Sequence, residues 1–356
     1  MSVDRSIVRV PQQPQQGGAC GKPPQVFLLE MASGYWRTQI TYTLAKLGVA
    51  DALGTSAATV AELAERLGTP ESPLGRLLRA ATGLGLLKTD EQGRYALTDI
   101  GNCLRSDVPQ SVRHIVLMSG AEHYVVWGHL YDAVRTGEPQ FEQALGHPQW
   151  WRYLDEHPAA SRVFDGAMED LSRNSHLPAI GGYDFGPYTR IVDVGGGTGT
   201  VVARILAAHP HLTGVLFDRK EVLEAAGPVL ANAGVADRCD LVAGDVFGGV
   251  PAGGDCYLLS SMLHDFSDEQ ALRILEAVRA VIPADGTLLL IESVLPATDA
   301  PHTAKLNDLN MLVMVGGRER TADELRALLA GAGFTLADVR PSPTPANVVT
   351  ARPVAA

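Results

Sequence analysis

Residues Arg190 to Thr200 read RIVDVGGGTGT, an apolar, β-branched run that breaks into a loop with four glycines among five residues. Glycines at a strand-to-helix turn let a ligand approach the main chain closely, and the start of the following helix leaves N–H groups free to donate. Two phosphate-binding templates fail here. No lysine follows as G-x-x-x-x-G-K-[ST] requires, and counting G-x-G-x-x-G from Gly195 puts Thr200 where the third glycine belongs. A carboxylate suits these donors better than a pyrophosphate does.

Short apolar runs recur downstream between helical segments: GVLF, CDLVAG, DCYLLS and GTLLLIES. Strand alternating with helix is the pattern of a parallel sheet covered on both faces. FTLADVR and ANVVTARPV, separated by a proline-rich turn, read as an antiparallel hairpin added to one edge. The second strand ends at Phe217-Asp218, roughly 20 residues past the first glycine, where an acid can accept both hydroxyls of a ribose. The third ends in Gly244-Asp245-Val246-Phe247, a carboxylate for an exocyclic amine beside apolar groups for a flat ring. All these ends share the carboxyl edge of the sheet, where doubly wound folds bind ligands. A nucleoside with an amino-acid tail and no phosphate satisfies each of them.

The chain of 356 residues has room for two domains. Its formal charge of −11 works against general affinity for nucleic acid or anionic membrane. Cys20, Cys103, Cys239 and Cys256 are far apart and lack zinc-ligand spacing, so no metal site is expected. No apolar run reaches about 18 residues and no basic segment precedes an apolar signal core, so the expected location is cytoplasmic. The proline- and glutamine-rich opening predicts a mobile tail over residues 1–25.

Residues 26–53 are helical in period, with large apolar side chains on more than one face, as if a second chain covered the excess. Thr59 and Glu62 form a capping box; a helix then ends at Gly68, a second runs to Leu84, and a polar hairpin surrounds Gln92-Gly93. This order is that of a winged helix. Between Thr59 and Arg105 stand six basic and six acidic residues, a balance that opposes DNA binding. Residues 108–180 read as helical.

Taken in order, VDVGGGTG, FD, GDVF, LHDFSDEQ and GGRERT resemble the class I S-adenosylmethionine-dependent O-methyltransferases. More narrowly, the chain from about Val26 onward resembles the plant phenylpropanoid and bacterial secondary-metabolite members. That resemblance implies an α/β fold: a Rossmann-like seven-stranded sheet, parallel with a C-terminal antiparallel hairpin, plus an N-terminal, mostly helical winged-helix dimerisation domain. It implies a tail over 1–25, a dimerisation domain over 26–163 and a methyltransferase domain over 164–356. The implied partners are a small aromatic substrate and a second copy of the chain.

The resemblance also assigns residues. Gly195 and Gly197 would line the methionine part of S-adenosyl-L-methionine, Asp218 the ribose, and Asp245, Val246 and Phe247 the adenine. Many members carry a lysine four residues before the motif histidine, where this chain has Ser260, and Leu-Pro where it has Arg219-Lys220. FDGAMEDLS matches a segment that closes over cofactor and substrate, making Phe164 and Met168 candidates for the substrate side of the pocket and Ser172, with Ser260, candidates for the cofactor side. NDLNMLVMV offers Asn310, Met311 and Met314 to the acceptor, methionine being adaptable against flat rings.

The implied general base is His264. Ser267 and Gln270 cap the helix that follows it, so Asp268 and Glu269 are explained by the helix dipole. A neutral imidazole titrating near ~6.5 can take a proton from a hydroxyl as the new bond forms. Glu292, ending an apolar strand, and Glu319, in GGRERT, are the candidates to orient it, while Asp265 is expected to point elsewhere. Carbon or nitrogen methylation is the enzymatic alternative. A metabolite-sensing DNA-binding regulator is the alternative from another class.

Overall fold

The computed structural model describes residues 22–355. Residues 1–21 of the expected tail lie outside that range, and its last two positions already belong to the helix Pro24–Ala32. The periodic stretch over 26–53 is three helices rather than one, broken at Ser33 and at Gly48, whose φ of 73° ends Gly34–Leu47.

The winged helix forms as its punctuation dictates. Thr59 Oγ1 accepts from the Glu62 amide while the Glu62 carboxylate accepts from the Thr59 amide, starting Val60–Leu67. Gly68 ends that helix at φ 63°, Glu71–Gly83 follows, and the wing is the antiparallel pair Leu87–Thr89 and Tyr95–Leu97. Leu44, Leu63, Leu74, Leu78 and Tyr95 fill its core.

From Arg113 to Ile180 the chain is helical. The helix Pro158–Leu171 runs through residues 163 and 164, so secondary structure does not break where the two domains were expected to divide.

The main sheet of the C-terminal region has seven strands: β1 (Arg190–Val194), β2 (Thr213–Asp218), β3 (Cys239–Ala243), β4 (Cys256–Ser260), β5 (Thr287–Glu292), β6 (Phe334–Arg340) and β7 (Asn347–Pro353). Their order across the sheet is β6-β7-β5-β4-β1-β2-β3. The first five run parallel, and β7 returns antiparallel between β5 and β6. Two apolar clusters cover the two faces, one under Thr200–Ala208 and one under Asp268–Arg279 and Ala322–Gly331. Because β1 has β2 on one side and β4 on the other, the winding direction reverses at β1, and a crevice opens past its carboxyl end. No helix among the described residues is long and apolar enough to cross a membrane.

Candidate active site

A cavity of about 840 Å³ lies in that crevice, a size suited to small-molecule ligands. One end is built by the glycine loop. Gly195 and Gly197 have φ of 68° and 61°, a region that disfavours any side chain, and a Cβ on Gly195 would meet Met262 Sδ at 2.7 Å. The Gly197 amide donates to Asp218 Oδ2 at 2.8 Å, and the Arg219 amide to Asp218 Oδ1 at 2.7 Å. Burial pushes the Asp218 carboxyl upward, and those two amides oppose it.

Asp245, Val246 and Phe247 also line the cavity. Asp245 Oδ1 accepts from the Phe247 amide at 2.9 Å, which pins the short turn Val246–Gly248 and presents the Phe247 ring. That ring stands edge-on to Phe266 at 5.4 Å, with the Arg273 guanidinium over it. Ser172, Ser260, Phe164, Met168 and Met314 line the same space.

Asn310 and Met311 do not. The Asn310 amide oxygen accepts from the Trp127 indole N–H at 2.8 Å and lies 3.3 Å from His123 Nδ1, tying it to the helical region. Met311 is buried in Ala304–Val315 and does not line the cavity, whereas Met314 one turn on does.

Several lining residues carried no sequence assignment: Asp193, His176, Ser261, Trp151 and Arg219. Asp193 is the clearest case, a fully buried acid within the apolar β1, with neither carboxylate oxygen hydrogen-bonded. Burial, then the charge of Asp218, pushes its carboxyl up to about 7. An acid in a strand otherwise read as apolar was the available signal. Arg219 joins β2 to the helix Trp150–Glu156, its guanidinium donating to Asp155 at 2.8 Å and lying over Trp151.

His264 sits in a single turn, Leu263–Asp265, past the end of β4. Its Nδ1 lies 3.0 Å from Glu319 Oε1 and 3.7 Å from Glu292 Oε2. Glu292 Oε1 accepts from the amides of Met262 and Leu263, which fixes the turn to the end of β5. Glu319 accepts a second bond from Asn307 at 2.6 Å, and its own amide donates to Asp308. Gly317 has no room for a side chain, since a Cβ there would lie 2.1 Å from the His264 carbonyl oxygen.

The third acid corrects an expectation. Asp265 does not point away; it lines the cavity with Oδ1 3.7 Å from His264 Nε2, while the imidazole backs onto a small recess beside Arg318 and Arg320. The assumed imidazole pKa is corrected as well. Burial pulls it down, but Asp265, Glu319 and Glu292 together raise it to about 10. Burial raises Glu292 to about 7 and Asp265 to about 6, each opposed by the His264 charge.

Comparison with known proteins agrees with this architecture. Residues 127–335 match the O-methyltransferase domain model, and residues 29–107 match the O-methyltransferase dimerisation domain. The chain belongs to the S-adenosylmethionine-dependent small-molecule O-methyltransferases. Phenazine O-methyltransferase of Lysobacter antibioticus is 41% identical over 332 residues, 93% of this chain and 97% of that one. O-demethylpuromycin-O-methyltransferase of Streptomyces alboniger is 40% identical over 334 residues, 92% of this chain and 89% of that one. The human N-acetylserotonin methyltransferase structure, a complex with S-adenosylmethionine, superposes with a TM-score of 0.88 at 26% identity, covering 95% of this chain and 100% of the other.

Proposed function

We propose that this methyltransferase acts on a hydroxyl of a small aromatic natural-product intermediate, with His264 as general base, and works as a homodimer joined through its N-terminal domain. The observation that carries the base assignment is the convergence of Asp265, Glu292 and Glu319 on one buried imidazole next to the cavity. The aromatic acceptor is supported by Phe164, Trp150 and Trp151 in the cavity wall, and by the acceptors for which its relatives are named.

The residues present fit the cofactor on independent grounds. The unpartnered oxygens of Asp193 suit an ammonium group, the Asp218 carboxylate suits a ribose, and the Gly195 and Gly197 loop leaves main chain exposed to a tail. When bound, S-adenosylmethionine supplies an electrophilic methyl group on a positively charged sulfur. The chain must supply alignment, a dry site and a destination for the acceptor's proton.

The raised pKa of His264 bears on that last task. A phenol near ~10 holds its proton about 3.5 units more tightly than an ordinary imidazole would. Because the three carboxylates raise the His264 imidazole, its proton affinity moves toward that of a phenol and proton transfer becomes less uphill. The proton leaves the acceptor oxygen for the imidazole, and the resulting cation is held by Glu319 and Glu292. The cost is a small neutral fraction at pH 7, so the productive protonation state becomes more abundant as pH rises.

The test is incubation with methyl-labelled S-adenosylmethionine and a panel of phenolic aromatics, with the product position read by NMR. Label on an aromatic oxygen is the expected result. Label found only on nitrogen or carbon would replace the hydroxyl acceptor, and no transfer to any aromatic would overturn the substrate class.

A further inference from the structure

Strand β2 ends at Asp218, and the residue after it is an arginine where many family members have leucine. Arg219 immediately precedes the short helix Lys220–Leu223, and its amide is tied to Asp218 Oδ1 at 2.7 Å, so its backbone is fixed beside the proposed ribose acid. Its side chain reaches a residue 64 positions earlier in the chain. Arg219 Nη1 donates to Asp155 Oδ1 at 2.8 Å, and the guanidinium lies 5.8 Å from the centre of the Trp151 ring.

Asp155, Trp151 and Arg219 all line the cavity, yet the arginine and aspartate side chains keep 34% and 43% of their surface in solvent. The pair therefore stands at the rim, with the cavity on one side and water on the other. Its two ends belong to opposite walls. Arg219 is carried by the sheet on the cofactor side, whereas Asp155 is carried by the helix Trp150–Glu156, whose tryptophans were assigned to the acceptor. That helix leans on Pro158–Leu171 through Trp150 and Trp151, both edge-on to Phe164. Among the described residues, no other hydrogen bond joins it to the strands of the main sheet or to Lys220–Leu223.

The guanidinium also faces Asp165, on Pro158–Leu171, and Asp218. Burial raises both carboxyls, and the Arg219 charge opposes it at each. One cation thus serves acids on three elements around the rim. An exposed ion pair adds little to stability, so this one can open and close without endangering the fold. Weak contacts across the entrance of a ligand cavity are what lids and straps use to set the pace of binding and release.

We propose that Arg219 is a clasp: its bridge to Asp155 across Trp151 closes the rim over the bound cofactor and opens for S-adenosylmethionine to enter and S-adenosylhomocysteine to leave. This rests on the cofactor reading above. The clasp governs exchange and takes no part in the proton transfer assigned to His264.

Stopped-flow association and displacement of S-adenosylhomocysteine on the full-length protein test this. Asp155→Asn and Arg219→Leu should each quicken dissociation roughly threefold, the worth of an exposed ion pair. A clasp that opens for both entry and exit raises both rates when it is removed, so association should quicken alongside and affinity should hardly move. A binding contact behaves differently, since its loss raises dissociation alone. The double variant should be no faster than the faster single one. High salt should quicken exchange in the wild type, by screening the pair, and much less in Asp155→Asn. Unchanged dissociation in Asp155→Asn, faster dissociation with unchanged association, or additive effects in the double variant would overturn the proposal. A wild-type protein that binds no S-adenosylhomocysteine would instead overturn the cofactor reading on which it stands.

Discussion

His264 and Glu319, 55 residues apart in sequence, meet with Nδ1 and Oε1 at 3.0 Å, and the glutamate is only 1% exposed. A charge so buried strengthens every interaction it makes. It raises the pKa of the imidazole, and it fixes which nitrogen is turned toward Asp265.

Glu319→Gln is expected to move the acidic limb of the pH–rate profile to lower pH while reducing the maximal rate. Removing one of the three carboxylates that hold the His264 proton lowers the imidazole pKa from about 10. The wild-type kcat/KM should accordingly keep rising well above pH 7. A plateau reached by pH 7 in the wild type, or a limb shifted upward in the variant, would contradict this. Stability follows the same sign: the folded pKa exceeds the unfolded value of about 6.5. The contribution of His264 is therefore complete below pH ~6.5 and is lost as pH rises through about 10. Denaturant midpoints of wild type and His264→Phe, compared from pH 6 to 10, should converge.

His264→Ala and His264→Gln should lower kcat by roughly 10²-fold or somewhat more, with cofactor affinity retained. Single-turnover rates at saturating cofactor, alongside calorimetry with S-adenosylhomocysteine, separate the two effects. Retained turnover would remove the base from the mechanism.

Much of this site was readable before any coordinates. The capping boxes Thr59/Glu62 and Ser267/Gln270 are local, and each forms as its spacing dictates. The strand ends carrying Gly195, Asp218, Asp245 and Ser260 share one edge because parallel winding leaves them no other place. The rest depended on tertiary choices that sequence spacing does not encode. Asn310 is drawn off by Trp127, a residue 183 positions away. Asp265 and His264 are adjacent in sequence, yet a single 3-10 turn sends the aspartate to the cavity and the imidazole behind it. The π-turn that places His176, Ser172–His176, has no signature in its own sequence.

Asp218→Ala should weaken S-adenosylhomocysteine binding by about 10- to 100-fold, the worth of hydrogen bonds to a charged group. The variant removes the acceptor for the Gly197 and Arg219 amides as well as the proposed ribose contact. Calorimetry reads the affinity. Loss of less than threefold would place the ribose elsewhere.

Gly317→Ala should reduce kcat more than it reduces the melting temperature. Its Cβ would lie 2.1 Å from the His264 carbonyl oxygen and 2.9 Å from Asp265 Cα, both main-chain atoms with little freedom to move aside. The relief available is displacement of the Leu263–Asp265 turn, which carries the base and the neighbouring acid. Thermal melts and kcat measured on the same preparation decide the matter. Unimpaired turnover would show that the turn absorbs the methyl group without moving His264.

The helix Pro24–Ala32 and the start of Gly34–Leu47 leave Leu28, Leu29, Met31 and Trp36 between 59% and 68% exposed, an apolar run far beyond what scattered surface residues require. These residues sit at and just before the start of the matched dimerisation domain, residues 29–107. A second copy of the chain covering them accounts for both facts. Leu29→Glu with Trp36→Glu should therefore convert a dimer into a monomer in analytical ultracentrifugation, because two carboxylates would be buried without partners at the contact. The winged-helix core of Leu44, Leu63 and Leu78 is separate from this face, so far-UV circular dichroism should be unchanged. A double variant that still sediments as a dimer would move the contact to another surface.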